Sequence, residues 1–132
     1  MERLRLSTTS RTEFINITAQ VKQYVLSSGV QEGICHIYVP HTSAGLMLNE
    51  AADPDVPRDI LKELNKMVPF EDDYAHRDGN AAAHIKATML GSSVTVPIAE
   101  GRLALGTWQG VFLGEFDGPR SRSVYLQIVR AT

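Results

Sequence analysis

Three histidines stand in segments that read as ordered turns and helix starts: His41 in Pro40-His41-Thr42-Ser43-Ala44-Gly45, and His76 and His84 at the two ends of His76-Arg77-Asp78-Gly79-Asn80-Ala81-Ala82-Ala83-His84. The middle of the chain also carries Asn49, Glu50, Asp53, Asp55, Asp72, Asp73, Asp78 and Asn80. Neutral imidazole with one or two carboxylates is the donor mixture of zinc, iron, nickel or manganese, and the same groups move protons near neutral pH. The separation of His76 from His84 is too long for the i, i+4 pair of a HExxH zinc helix, so the chemistry rests on side chains converging from different elements. The polar cluster is read as a site, with His41, His76 and His84 as metal or acid–base candidates.

Further candidates flank that cluster, each with a structural alternative. Glu50 or Glu115 could carry a proton. Asn49 and Asn80 could bind substrate, although Asn49-Glu50 and Asp53-Pro54-Asp55 equally suit capping of a following helix, and Asn80 is a natural cap for the segment after it. Trp108-Gln109 offers an aromatic wall with a polar handle, or else a core ring and a satisfied amide. Arg120 and Arg122 follow Gly118-Pro119 and are either solvated turn cations or forked donors for phosphate. His36, inside an apolar run, reads as a sheet residue with a satisfied partner. Neither a Walker-type loop nor a dinucleotide fingerprint occurs.

The elements that must position these groups follow from apolar spacing. Arg3 to Thr9 and Glu13 to Ile17 read as strands, and Thr18 as the N-cap of a helix over Ala19 to Ser28 that Gly29 stops. Gly33 to Val39 is a β-branched strand ending at Pro40, which puts His41 where the chain leaves a sheet, and Ala44 to Leu48 continues in extended form. Asp55 to Met67 has the apolar period of a helix, with acid at its start and Lys62 and Lys66 towards its end. Pro69 to Asn80 is a long polar loop delivering His76 and Asn80, and Ala81 to Leu90 a short helix whose first turns carry His84. Strands over Ser93 to Ile98, Gly110 to Gly114 and Ser123 to Arg130 follow, separated by turns at Gly101, Gly106 and Asp117-Gly118-Pro119. The expected fold is α+β: one compact domain with a small antiparallel β-sandwich and three or so helices.

Composition excludes several classes. The 132 residues, 43% of them hydrophobic and 21% charged, suit one globular domain with a core. A net charge of −2 supplies no basic field for nucleic acid. The single cysteine, Cys35, forms no intrachain disulfide and reads as a buried thiol. With no apolar run of membrane-spanning length and a first segment alternating charge with leucine, a cytoplasmic protein without membrane contact is expected.

Four stretches in order carry a resemblance over essentially the whole chain: Pro40-His41-Thr42-Ser43-Ala44-Gly45-Leu46, Asn49-Glu50, the His76 to His84 segment, and the run from Gly106 to Arg120. Together they resemble the YjbQ-like family, often described as secondary thiamine-phosphate synthases. The resemblance implies a compact α+β fold with a small β-sandwich, a homotrimer, and a histidine pocket with room for a metal between subunits. It places His41, His76 and His84 at the pocket positions, with Asn49 and Glu50, and with Trp108, Gln109, Glu115 and Arg120 as neighbours. The implied activity is a transferase reaction joining an aminopyrimidine methyl diphosphate to a thiazole phosphate with release of diphosphate, for which magnesium is the usual ion. Two alternatives stand beside it: a metal-dependent hydrolase or lyase acting on a small phosphorylated or carbonyl metabolite, and a non-catalytic metabolite-binding trimer.

Overall fold

Alternation of apolar and polar residues builds two antiparallel sheets in the computed structural model, which describes residues 1–131. The strands are β1 (Glu2–Ser7), β2 (Glu13–Asn16), β3 (Gly33–Tyr38), β4 (Ala44–Glu50), β5 (Ser93–Ala99), β6 (Arg102–Leu103), β7 (Gln109–Glu115) and β8 (Ser121–Arg130). The helices are α1 (Thr18–Ser28), α2 (Asp55–Met67) and α3 (Ala81–Leu90). One sheet has the order β1-β8-β3-β5-β6, the other β2-β7-β4. The α+β sandwich expected from the sequence is the architecture observed.

Between the sheets lies the main core, where Cys35, Ile37, Val96, Val124 and Leu126 of the larger sheet meet Leu46, Val111 and Leu113 of the smaller one. Val21 and Val25 of α1 close one side of it. Each such side chain contributes roughly 1.5–3 kcal/mol on burial. The opposite face of the smaller sheet carries a second cluster, in which Phe116 packs with Leu64 of α2 and Ala83 and Ala87 of α3. Gly45 lets α3 approach that sheet: a Cβ there would lie 3.0 Å from the Gly91 carbonyl and 3.1 Å from the Leu90 Cβ. The helix bearing His84 therefore lies directly on β4.

Several local details differ from the sequence expectation. Thr18 does not cap α1; Asn16 Oδ1 accepts from the Thr18 amide and hydroxyl, while Thr18 Oγ1 accepts from the Val111 amide and ties the helix to β7. The two-residue strand β6 gives too short a pattern to detect, and its hairpin turn places Glu100 and Gly101 both at positive φ, 52° and 77°. Strand β4 continues two residues beyond Leu48, because Asn49 and Glu50 stay paired with Gly110 and Gln109. Among the described residues no helix is long and apolar enough to cross a membrane.

Candidate functional site

The continued pairing of β4 with β7 separates the candidate residues into two groups. Ala44 pairs with Glu115 at one end of the smaller sheet and Glu50 with Gln109 at the other. Six strand residues at about 3.4 Å each put roughly 20 Å between those ends. Asn49, Glu50, Trp108 and Gln109 lie at the far end, where Glu50 Oε2 accepts from the Asp53 amide, Gln109 Oε1 accepts from the Gly106 amide, and Trp108 is 64% exposed. Asp53 Oδ1 accepts from the Asp55 amide at the start of α2, the capping role open to it from sequence. His41, His76, Asn80, His84, Glu115 and Arg120 gather at the near end.

At that near end the hydrogen-bond partners fix the proton on each imidazole. Asn80 Nδ2 donates to Asp117 Oδ2 at 2.9 Å, so Asn80 Oδ1 is the atom facing His76 Nε2, also at 2.9 Å. His76 must then donate from Nε2, which leaves Nδ1 bare in the neutral ring. His84 Nδ1 lies 2.9 Å from the Thr42 carbonyl, which can only accept, so Nδ1 carries the proton and Nε2 is bare. His41 Nε2 accepts from the Ser123 amide at 2.9 Å and carries its own proton on Nδ1. Burial and, secondarily, the Arg122 cation lower the His41 pKa, with Glu115 opposing them, so this ring is neutral at pH 7.

Asn80 occupies the N-cap position of α3 but makes no side-chain cap. Its amide bridges His76 and Asp117 instead, leaving its main-chain carbonyl to accept from the Ala83 and His84 amides. The rings of His76 and His84 meet edge to face with centroids 5.3 Å apart, and Asp78 Oδ2 lies 3.5 Å from His76 Nε2. The loop delivering His76 is pinned by Phe70, whose ring centroid lies 3.6 Å from the Arg11 guanidinium carbon and 4.2 Å from Lys86 Nζ. Beside His84 opens a cleft of about 620 Å³ of mixed lining, formed by His41, Thr42, His84, Thr88 and Ser92 with apolar Val39, Pro40 and Ala87 among others. Half-exposed Arg120 stands nearby, held by Asp117 through Nε to its carbonyl at 2.7 Å and a terminal nitrogen to Oδ2 at 3.0 Å.

Glu115 lies beneath this surface, fully buried, instead of facing the cleft. On β7 it shares the inward face of Val111 and Leu113, and Arg122 shares that of Val124 and Leu126 on β8, so the two charges meet across the end of the sandwich. Glu115 Oε1 accepts from Thr8 Oγ1 and Arg122 Nε, both at 2.8 Å, and Oε2 accepts from an Arg122 terminal nitrogen and from the Asp117 amide. Burial works against the carboxylate, but the hydrogen bonds from Arg122, Asp117 and Thr8 outweigh it and hold the pKa below the ordinary value. Arg122, read from sequence as a turn cation or phosphate ligand, is a buried partner of Glu115 and Ser43. The signal was available in the sequence: both charges fall on the inward parity of apolar strands.

The donor chemistry at this end fits a metal in part. His76 and His84 each present a bare nitrogen, whereas His41 would have to give up the Ser123 hydrogen bond or ionise its ring to ligate. Among the described residues no three His, Cys, Asp or Glu side chains converge on one point. Cys35 is buried in the core with its thiol pushed up to about 11 by burial, and His36 Nδ1 is satisfied by Thr95 Oγ1 at 2.8 Å.

A two-sheet α+β sandwich with a histidine cluster where the sheets meet two helices defines a small single-domain class. The family described as UPF0047 protein YjbQ-like matches residues 2–131, and the chain belongs to it. It is 43% identical over 130 residues to the UPF0047 protein YugU of Bacillus subtilis, covering 98% of each chain. A crystal structure of a YjbQ/UPF0047-family protein from Clostridium acetobutylicum superposes with a TM-score of 0.96 at 49% identity, covering 98% of this chain and 100% of that one. A YbjQ-like protein of Sulfolobus solfataricus superposes with a TM-score of 0.95 at 38% identity, covering 98% and 96%.

Proposed function

We propose that this protein is an enzyme that processes a small phosphorylated metabolite at the near end of the smaller sheet, with His76 and His84 as its working groups. The observation that carries the reading is the pair of fixed tautomers: each ring spends its proton on a protein acceptor and keeps one bare nitrogen. Such nitrogens accept a proton from a substrate or water, and they would hold a divalent transition metal, which supplies Lewis acidity when bound. Orientation comes from Asn80 on one ring and the Thr42 carbonyl on the other. Arg120 offers its exposed guanidinium edge to a phosphate, and Thr42, Thr88 and Ser92 line the cleft with hydroxyls and main-chain groups. Hydrolysis or elimination is the chemistry such groups serve best.

Thiamine-phosphate synthesis is the second reading, supported by the motif resemblance and by Arg120 as a diphosphate ligand. In that reaction the C–O bond to diphosphate breaks and a C–N bond to the thiazole nitrogen forms, with no base required. Its aromatic wall would not be Trp108 of the same chain, which stands at the far end of the sheet. The test incubates an aminopyrimidine methyl diphosphate with and without a thiazole phosphate, using wild type, His84→Ala and Arg120→Ala. Hydrolysis without the thiazole, lost in His84→Ala, supports the first reading. Thiamine phosphate formed undiminished by His84→Ala and lost in Arg120→Ala supports the second and overturns the first. No turnover of this pair or of simple phosphate esters by wild type refutes both.

A further inference from the structure

We propose that the buried Glu115–Arg122 pair is the positioning element that sets the tautomer and orientation of all three pocket histidines at once. The inference rests on the reading of these histidines as the working groups, and it adds how the fold holds them. Three branches leave the pair. From Glu115 Oε2 one runs through the Asp117 amide to the Asp117 carboxylate, then through Asn80 to His76 Nε2. From Arg122 the second runs to Ser43, whose Oγ accepts at 2.8 Å and whose carbonyl accepts at 3.3 Å, and Ser43 follows Thr42, the acceptor for His84 Nδ1. The third is the chain itself, since Ser123, next to Arg122, gives its amide to His41 Nε2. Thr8, just past the end of β1, fastens the arrangement by donating to Glu115 and accepting from the Arg120 amide at 2.8 Å.

An ion pair chosen only to join the sheets would need no such extensions. A buried pair is often replaceable by apolar residues at little or no loss of stability, yet here one branch from each charged group, through Asp117 and through Ser43, leads on to an imidazole. Glu115 and Arg122 touch no cleft, so they are positioning residues and not catalytic ones. Replacing the carboxylate by an amide sets a donor against Arg122 or the Asp117 amide, and the disturbance reaches every branch.

The experiment reads the imidazole nitrogens directly by 15N NMR of the full chain at about pH 8, above the usual histidine pKa. Wild type is expected to show Nε2 protonated in His76 and Nδ1 protonated in His84 and His41. In Glu115→Gln the bias should fall roughly five-fold or more at all three rings, the size expected when one net hydrogen bond is lost per ring. Asn80→Ala should release His76 alone, and Ser43→Ala should loosen His84 while leaving His76 unchanged; these two variants carry the test if Glu115→Gln does not fold. Folded Glu115→Gln with wild-type ring signals overturns the proposal, as does an unchanged His76 in Asn80→Ala or an unchanged His84 in Ser43→Ala. Because no substrate is involved, failure of the functional reading would leave this result standing, and the reverse holds too.

Discussion

Removing the Glu115 carboxylate is the perturbation with the largest expected consequence for stability. Glu115 is fully buried and its two oxygens accept four hydrogen bonds, while the Arg122 side chain is 4% exposed. In Glu115→Ala the guanidinium stays buried with only Ser43 to accept from it, and an uncompensated buried charge of this kind costs about 3–5 kcal/mol. For a domain of this size each kilocalorie lowers Tm by about 3–5 °C, so a fall of about 9–25 °C is expected. Glu115→Met with Arg122→Met removes both charges and should recover most of the loss, because the apolar pair needs no counter-charge. The pH dependence has a definite sign. The folded Glu115 pKa lies below its unfolded value, so the pair's contribution is fully present above the unfolded glutamate pKa of about 4.3 and is lost as pH falls through the folded value. Urea unfolding of wild type, Glu115→Met, Arg122→Met and the double variant, with Glu115→Ala alongside, at pH 7 and at about pH 3 measures all of this. A cost below about 1 kcal/mol for Glu115→Ala, or single-variant costs that simply add in the double variant, would refute the reasoning.

Other consequences are as specific. Asn80→Ala should lower turnover about 10- to 100-fold, the scale seen when the partner orienting a functional histidine is removed, and cost only about 1–2 kcal/mol in urea unfolding. An unchanged rate would separate His76 from the chemistry. Gly45→Ala presses a methyl onto the Gly91 carbonyl and Leu90 and should cost about 1–3 kcal/mol, with turnover falling as α3 shifts; a neutral melt would show that the approach of helix to sheet is soft. Cys35, buried with its thiol pKa near 11, should resist a disulfide exchange reagent at pH 8 until urea unfolds the chain, and immediate labelling would contradict the packing.

The helices and most strands were legible because their apolar residues keep one period over several turns or pleats, as Val21 and Val25 do in α1 and Val124 and Leu126 do in β8. The far reach of β4 was not legible, since Asn49 and Glu50 look like capping residues and their pairing with β7 is a tertiary fact. That pairing is what takes Trp108 and Gln109 away from the histidines. The role of Asn80 was half visible: its position at the head of α3 is local, but the diversion of its amide depends on Asp117, 37 residues away in sequence. Tautomers were beyond sequence, because those of His84 and His41 are set by the distant Thr42 carbonyl and Ser123 amide, and that of His76 by an Asn80 side chain whose orientation depends on distant Asp117. Glu115 and Arg122 are legible by parity: two opposite charges on inward-facing positions of β7 and β8 find their partners in each other and in the polar groups around them.

The most direct test of the functional account is elemental analysis of untagged protein purified without chelator, alongside His41→Ala, His76→Ala and His84→Ala. Any transition metal that wild type carries is expected to be lost with His76 or His84 and retained by His41→Ala, since His41 has committed its Nε2 to Ser123. Metal that persists without His76 and His84, or that departs only with His41, would contradict it.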